Sequence, residues 1–534
     1  MLLGLTLVAH GPAIHAVIAF DSMAELKMVP ELDSVGDVKK VVTGARPVSR
    51  LTFAVNRTLH GFSGPGYHAV NLAIHAINSV LLMILAGRLL RRAGQTAPAA
   101  KFMAFAIAAL WVVHPLTTSA VAYTIQRDEV LMTTFYLLTL WAAARGMVEA
   151  ETPASETTQR AVLWWLLAVV VAALGMATKQ VMMTVPAVVL LMDRCFYAHS
   201  FKAALRRRWG GYLGLAATWG VLWHQRLFEV VVAEGSSVGF ATRGATPWEY
   251  LMTQPAVIFH YLRLTFWPHP LVLDYHWMPV TQFSQVAGFW LVLGLLGLLT
   301  LVALWRRPAV GFVAMAAWIV LSPTSSFVPT ADLAFEHRFY LPLACVIALV
   351  VVAVARRLRR VSPHGRAIAA GLLAGLVVTA SAVSFRRSQV YGDRVTLWKS
   401  VVEAADHNAR AMHNLGSALW DRGEYGRALG WYQQAVDRWP TWAVRQAELG
   451  ERYMMVGQPR RAAELFKTAR DLEPAEADYH KALVLARLAA GQIMPARQAL
   501  DEMARRWPDS PAVKALRRQL QAAEEVSSST SPSS

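Results

Sequence analysis

The residues best suited to chemistry in this sequence are ionisable groups set at the ends of apolar runs. Glu336, His337 and Arg338 lie between "VGFVAMAAWIVL" and "LACVIALVVVAVA". Arg127, Asp128 and Glu129 open another run, Lys179 stands at the turn between two more, and Asp21 directly follows the first. Charges at membrane depth are costly, so such groups tend to pair or to face a shared cavity. The competing explanation is interfacial anchoring by snorkelling side chains, or an ion pair that holds the 324–340 loop to the span after it. Taken together, Arg127, Lys179, His337 and Arg338 form a cationic set suited to phosphate oxygens. A phosphate held at a membrane surface points to a lipid phosphate. Asp21 is then a carboxylate beside a cationic pocket, placed to act as a general base. The chemistry suggested is group transfer from a lipid-phosphate donor. The cations stabilise the departing phosphate, and the carboxylate takes the acceptor's proton.

Other polar residues read differently. In "YHAVNLAIHAIN" (67–78), His68, Asn71, His75 and Asn78 make one polar stripe on a helix. No carboxylate accompanies them there, so interhelical hydrogen bonds are expected rather than metal binding. His114, before Pro115, reads as a cap. Cys195 and Cys345 offer neither a disulfide nor a metal spacing, and no metal site is expected.

The elements that must position these groups are membrane helices. The 534-residue chain is 55% hydrophobic and 16% charged, with a mean hydropathy of +0.35. A soluble chain carries about 25% charge. The apolar excess lies before residue 385, in runs near the length a bilayer demands. Eleven spans are expected, at 2–20, 67–88, 102–120, 129–145, 161–178, 181–195, 210–225, 285–305, 309–323, 341–356 and 366–385. The first is read as a span because it lacks the basic start and cleavage site of a signal peptide. Arginine clusters at 88–92, 206–208, 306–307 and 356–360 fall on one side, which the positive-inside rule makes cytoplasmic. The net charge of +17 is accounted for in this way, and no nucleic-acid partner is expected. "PAVIFHYLRLTFWPHP" (255–270) is short and interrupted by His260 and Arg263, so it reads as an interfacial or re-entrant helix on the outer face. The odd span count then puts the C-terminal region outside.

That region repeats. Pro440, Pro474 and Pro508 are 34 residues apart, as are Ala428, Ala462 and Ala496, and Leu415, Leu449 and Leu483. A 34-residue period with small residues at helix crossings and a terminal proline is the tetratricopeptide signature. Each repeat is a helix pair that buries its apolar face on the next. The predicted fold is all-α: a polytopic transmembrane domain over 1–385, a linker helix over 386–407, and an extracytoplasmic tetratricopeptide solenoid over 408–521 that ends in a capping helix. A disordered tail is expected over 522–534.

Several segments carry a resemblance over nearly the whole chain: "ARPVSRLTFAVNRTLHGFSGPGYHAVNLAIHAIN" (45–78), "HPLTTSAVAYTIQRDEVLMTTFYLLTL" (114–140), "ATKQVMMTVPAVVLLMD" (177–193) and "FEHRFYLP" (335–342). The sequence resembles bacterial relatives of the transmembrane and tetratricopeptide-repeat O-mannosyltransferases, in the GT-C glycosyltransferase superfamily. The resemblance implies a GT-C-like fold and an active site on the outer face. It also implies a polyprenyl-phosphate-linked sugar, mannose in the family, as donor substrate, with no permanently bound cofactor. The implied acceptor is a protein serine or threonine hydroxyl, with protein contacts through the repeats, and the implied location is a bacterial cytoplasmic membrane. In the family the first outer loop carries paired acids after a phenylalanine. Here Phe20 and Asp21 are kept and Ser22 replaces the second acid, which makes Asp21 the expected base, with Glu25 an alternative. Lys179 is kept, followed by Gln180 where glutamate is common. Arg127 and Arg338 match. Glu336 is expected to orient His337 or Arg338. The rival to an enzyme is a membrane-anchored repeat scaffold that recruits envelope proteins.

Overall fold

The computed structural model describes the chain except residues 32–34, 152–154, 226–230, 232–237, 241–243, 362–363 and 530–534. The regular secondary structure of the described residues is helical, apart from one isolated bridge between Val238 and Thr330. They divide into two compact units, Met1–Leu397 and Trp398–Ser534. The division falls inside the helix Arg394–Ala404.

Among the described residues of the first unit, six helices are long and apolar enough to cross a membrane: Gly64–Arg92, Thr124–Glu149, Gln159–Met176, Ala287–Arg306, Glu336–Leu358 and Ala367–Val390. A seventh is the pair Ala97–Val112 and Pro115–Ala122, bent by 55°. The eleven apolar segments are helical over most of their length, with 16–20 outside the helix of the first; six or seven spans among the described residues meet the length and composition of a crossing. The bend in the 102–120 segment has a local cause. Pro115 has no N–H and pushes the residue before it out of the helical region. His114 is extended there, and its Nδ1 accepts the Leu116 N–H at 3.2 Å. The 181–195 segment shortens to a 3-10 turn, Gln180–Thr184, and a 12-residue helix, Val185–Phe196. The next helix, Phe201–Ala217, is kinked at Arg208. That arginine, from a cluster read as cytoplasmic, is buried and donates to both Asp193 oxygens at 2.8 and 3.0 Å. The helix around 255–270 starts earlier than expected, at Pro247, because Thr246 and Glu249 form a capping box.

The polar stripe of the Gly64–Arg92 helix ties this unit together. Asn71 Nδ2 donates to the Thr124 carbonyl at 3.2 Å, and Asn78 Nδ2 to that of Val130 at 2.7 Å. His75 Nε2 meets the Val112 carbonyl at 3.0 Å and Nδ1 the Tyr340 hydroxyl at 2.6 Å. The carbonyl can only accept, so the proton belongs on Nε2 and the hydroxyl donates to Nδ1.

The second unit is a run of paired helices: Ala409–Asp421 with Tyr425–Arg438, Ala443–Met455 with Pro459–Leu472, and Ala477–Ala489 with Ile493–Arg506. Gly423, Gly457 and Gly491 end the first helix of each pair at positive φ of 80°, 72° and 70°, a conformation that favours glycine. Gly450 lies so close to the next helix that an added Cβ would stand 2.9 Å from the Phe466 ring. The last helix, Pro511–Ser529, runs into the stretch expected to be disordered. "QLQAAEEV" is rich in strong helix formers. Residues 530–534 of that expected tail lie outside the described residues.

Candidate functional site

The three residues at the start of the Arg127–Glu149 helix have three different partners. Arg127 is fully buried. Its Nε donates to Asn71 Oδ1 at 2.8 Å, Nη1 to the Thr52 carbonyl at 3.1 Å and Nη2 to the Tyr67 carbonyl at 2.9 Å. Its guanidinium also lies 4.4 Å from the centre of the Phe53 ring. Asp128 pairs with Arg46 at 2.7 Å and accepts the Ser49 hydroxyl. Glu129 pairs with Lys179 at 2.6 Å, with side chains 3% and 13% exposed. The pairing of Lys179 with Glu129, and that of Arg46 with Asp128, have no signal in the sequence, because each joins residues far apart along the chain.

Of the four expected residues, Lys179 and Arg338 lie within electrostatic reach of His337. His337 is buried, stacked on Phe335 with ring centres 5.0 Å apart, and lies in the field of Lys179, Arg338 and Arg46. Arg127 stands apart, enclosed by the Pro47–His60 and Gly64–Arg92 helices. Arg338 is partly buried and holds the loop before it. Nη2 donates to the Asp332 carbonyl at 2.7 Å and to Thr330 Oγ1 at 3.0 Å, and Nη1 to the Leu333 carbonyl at 3.1 Å. Glu336 does not orient His337 or Arg338. Its Oε1 accepts the Val272 N–H at 2.6 Å and the Tyr275 hydroxyl at 3.0 Å, which fastens the 271–278 loop against the motif. The carboxylate is buried and its neighbours in the 3-10 turn point elsewhere, so the loop supplies the donors it needs.

Asp21 sits at an exposed turn just before the helix Ser22–Met28, after Phe20 at φ 55°. Tyr123 is hydrogen-bonded with the Asp21 backbone, and its ring lies 6.2 Å from that of Phe20. Burial, and after it the Asp21 carboxylate, holds the Tyr123 phenol well above its ordinary range, so the phenol stays protonated. Asp332 also lies within electrostatic reach of Tyr123. Glu25, the alternative base, lies on the exposed side of the Ser22–Met28 helix.

No metal ligands were expected from the sequence, yet the fold assembles a group that could serve. One ligand atom each from Asp274, His276 and Asp332 lies within 4.8 Å of the others. Asp274 and His276 stand two apart in "DYH", where the chain turns at His276 with φ 46° and the His276 N–H donates to Asp274 Oδ1. Only the fold brings Asp332 to them.

Two stretches of the second unit match family descriptions of the tetratricopeptide repeat, residues 408–439 and 453–520. The chain is 24% identical to human "Protein O-mannosyl-transferase TMTC1" over 76% of its length and 49% of that protein. It is 23% identical to mouse "Protein O-mannosyl-transferase TMTC4" over 73% and 57%. With the fruit-fly (Drosophila melanogaster) "Protein O-mannosyl-transferase Tmtc3" the identity is 25%, over 73% and 48%. The chain spans about half the length of the curated relatives it matches. A solved structure, "Crystal structure of APC/C hetero-tetramer Cut9-Hcn1", aligns over 91% of this chain and 98% of that one at 14% identity. Its TM-score is 0.22, a level from which no architectural argument follows. With repeats in its second unit and this likeness along some three quarters of its length, the chain is a relative of the transmembrane and tetratricopeptide-repeat O-mannosyltransferases.

Proposed function

We propose that this chain is a membrane glycosyltransferase of the GT-C type, with its site and its repeats on the outer face of the membrane. It moves a sugar, mannose by analogy with the names of its relatives, from a polyprenyl-phosphate-linked donor to a serine or threonine hydroxyl of a protein. The reading is supported by the buried His337 lying within electrostatic reach of Lys179, Arg338 and Arg46, and by the hydrogen bond of Tyr123 with the Asp21 backbone. In the reaction the acceptor oxygen bonds to the anomeric carbon as the bond from that carbon to the phosphate oxygen breaks. The hydroxyl proton passes to the Asp21 carboxylate. Lys179, His337 and Arg338 hold the phosphate that leaves on the lipid. The fixed charges of Lys179 and Arg338 act most strongly there because charge builds on that group in the transition state. Arg127 contributes from behind, by holding the Gly64–Arg92 helix and the Pro47–His60 helix in place. The repeats present the protein acceptor.

The test uses the full chain in nanodiscs with a polyprenyl-phospho-mannose donor and an acceptor peptide. Asp21→Asn is expected to keep donor binding while transfer falls by about 10²–10⁴-fold, the usual cost of losing a positioned base. Arg338→Ala is expected to weaken donor binding as well. Near-full transfer by Asp21→Asn would remove the assigned base. A wild-type chain that transfers no sugar but captures envelope proteins would favour the scaffold.

A further inference from the structure

We propose that Asp274, His276 and Asp332 bind one divalent transition-metal ion. Ligand atoms on a shared ion, each about 2.0–2.2 Å from it, lie roughly 3–4.4 Å from one another. The three ligand atoms here already lie within 4.8 Å of one another, so small side-chain rotations close the set. Two carboxylates at that separation repel, and a doubly charged ion removes the repulsion. The donor types narrow the ion. Two carboxylates with one imidazole suit Mn2+ or Zn2+, whereas Mg2+ and Ca2+ prefer oxygen alone.

The surroundings hold these ligands in place. Asp274 is fully buried, and its Oδ1 accepts the His276 N–H at 3.1 Å. Glu336 fixes the same loop through Val272 and Tyr275. Asp332 is held by the bond from Arg338 to its carbonyl. Three protein ligands leave coordination positions open, as catalytic rather than closed structural sites do. Their place, next to Arg338, is where the proposed function puts the donor phosphate, so a phosphate oxygen is the ligand that fits them. That last assignment rests on the transferase reading; the ion site itself does not.

The experiment measures metal first and transfer second. The purified full chain in nanodiscs is stripped with chelator and titrated with Mn2+, followed by electron paramagnetic resonance, and with Zn2+, followed by calorimetry. One saturable equivalent of either ion is expected. Asp332→Asn and His276→Gln, at partly exposed positions, are expected to weaken it at least about tenfold, since even outer-shell changes cost 10–100-fold. Glu403→Gln, far along the chain and exposed, is the control and should change nothing. Thermal melts check folding: the ion should raise the midpoint of the wild type and the control, and not of the two variants. Absence of saturable binding in the folded wild type, or binding that survives both substitutions, overturns the proposal. Adding polyprenyl phosphate to the Mn2+-loaded chain should alter the resonance. An unchanged spectrum with intact Mn2+ binding would keep the ion and remove its contact with the donor.

Discussion

Lys179 and Glu129 are the closest pair of opposite charges at the site, and they are almost wholly enclosed. Removing one partner of a buried pair strands the other charge, at a cost of about 3–5 kcal/mol. Glu129→Gln is therefore expected to lower the unfolding free energy by that order, and Glu129→Gln with Lys179→Met by clearly less than the two single losses added together. A double-mutant cycle from melts of the chain in nanodiscs reads the difference, and additive losses would mean the pair is not coupled. Residues of this kind were half legible. Lys179, His337 and Arg338 stand out in the sequence because charge interrupts apolar runs. Glu129 and Arg46 were not visible as partners, because an ion pair between distant segments leaves no local pattern. Arg127 has the same signature as the others but a different occupation: its nitrogens are bonded to Asn71, Thr52 and Tyr67. Composition cannot tell a guanidinium that faces a ligand from one that closes a helix junction.

At the scale of elements, the repeats were the most legible feature, because their spacing is fixed by helix pairs that must stack. Gly416 and Gly450 share a register because each faces an aromatic ring, Tyr432 or Phe466. The spans were less legible. Apolar composition locates a helix, but Pro115 bends one and the turn at Gln180–Thr184 shortens another, and neither break changes the average hydropathy. Between the first helices of neighbouring repeats, Glu448 joins His413 at 2.7 Å and also pairs with Arg445. Burial pushes the Glu448 carboxyl up, but the bonds from His413 and Arg445 outweigh it and hold the group at about 2, below its ordinary 4.5. A depressed carboxylate stabilises the fold above its unfolded value and loses that contribution as pH falls toward the folded one. The helical melt of the segment from Trp398 onward should thus weaken between about pH 4.5 and pH 2. Glu448→Gln should flatten that decline, as circular dichroism melts across the range would show; an equal decline in the variant would assign it to other acids.

At the scale of the whole molecule, the arginine clusters argue for sidedness. A reporter fused after residue 400 is expected to be active only in its exported form, with the repeats outside; activity of a cytoplasmic reporter there would reverse the orientation. The division into two units was legible in outline, since the apolar runs end where the 34-residue period begins, but its position inside the helix Arg394–Ala404 was not. A helix that runs from one unit into the next carries no turn signal. Within the first unit, the stretch from Thr330 to Tyr340 has fixed bonds along its course: Arg338 holds Thr330, Asp332 and Leu333, Tyr261 accepts the Phe335 N–H at 2.8 Å, Glu336 holds the 271–278 loop, and Tyr340 meets His75. The outside attachments sit on three different neighbours, Tyr261, the 271–278 loop and His75, so a single inserted or deleted residue would throw all those beyond it out of register at once. The stretch can change its letters one at a time, but its length is common to every contact it makes.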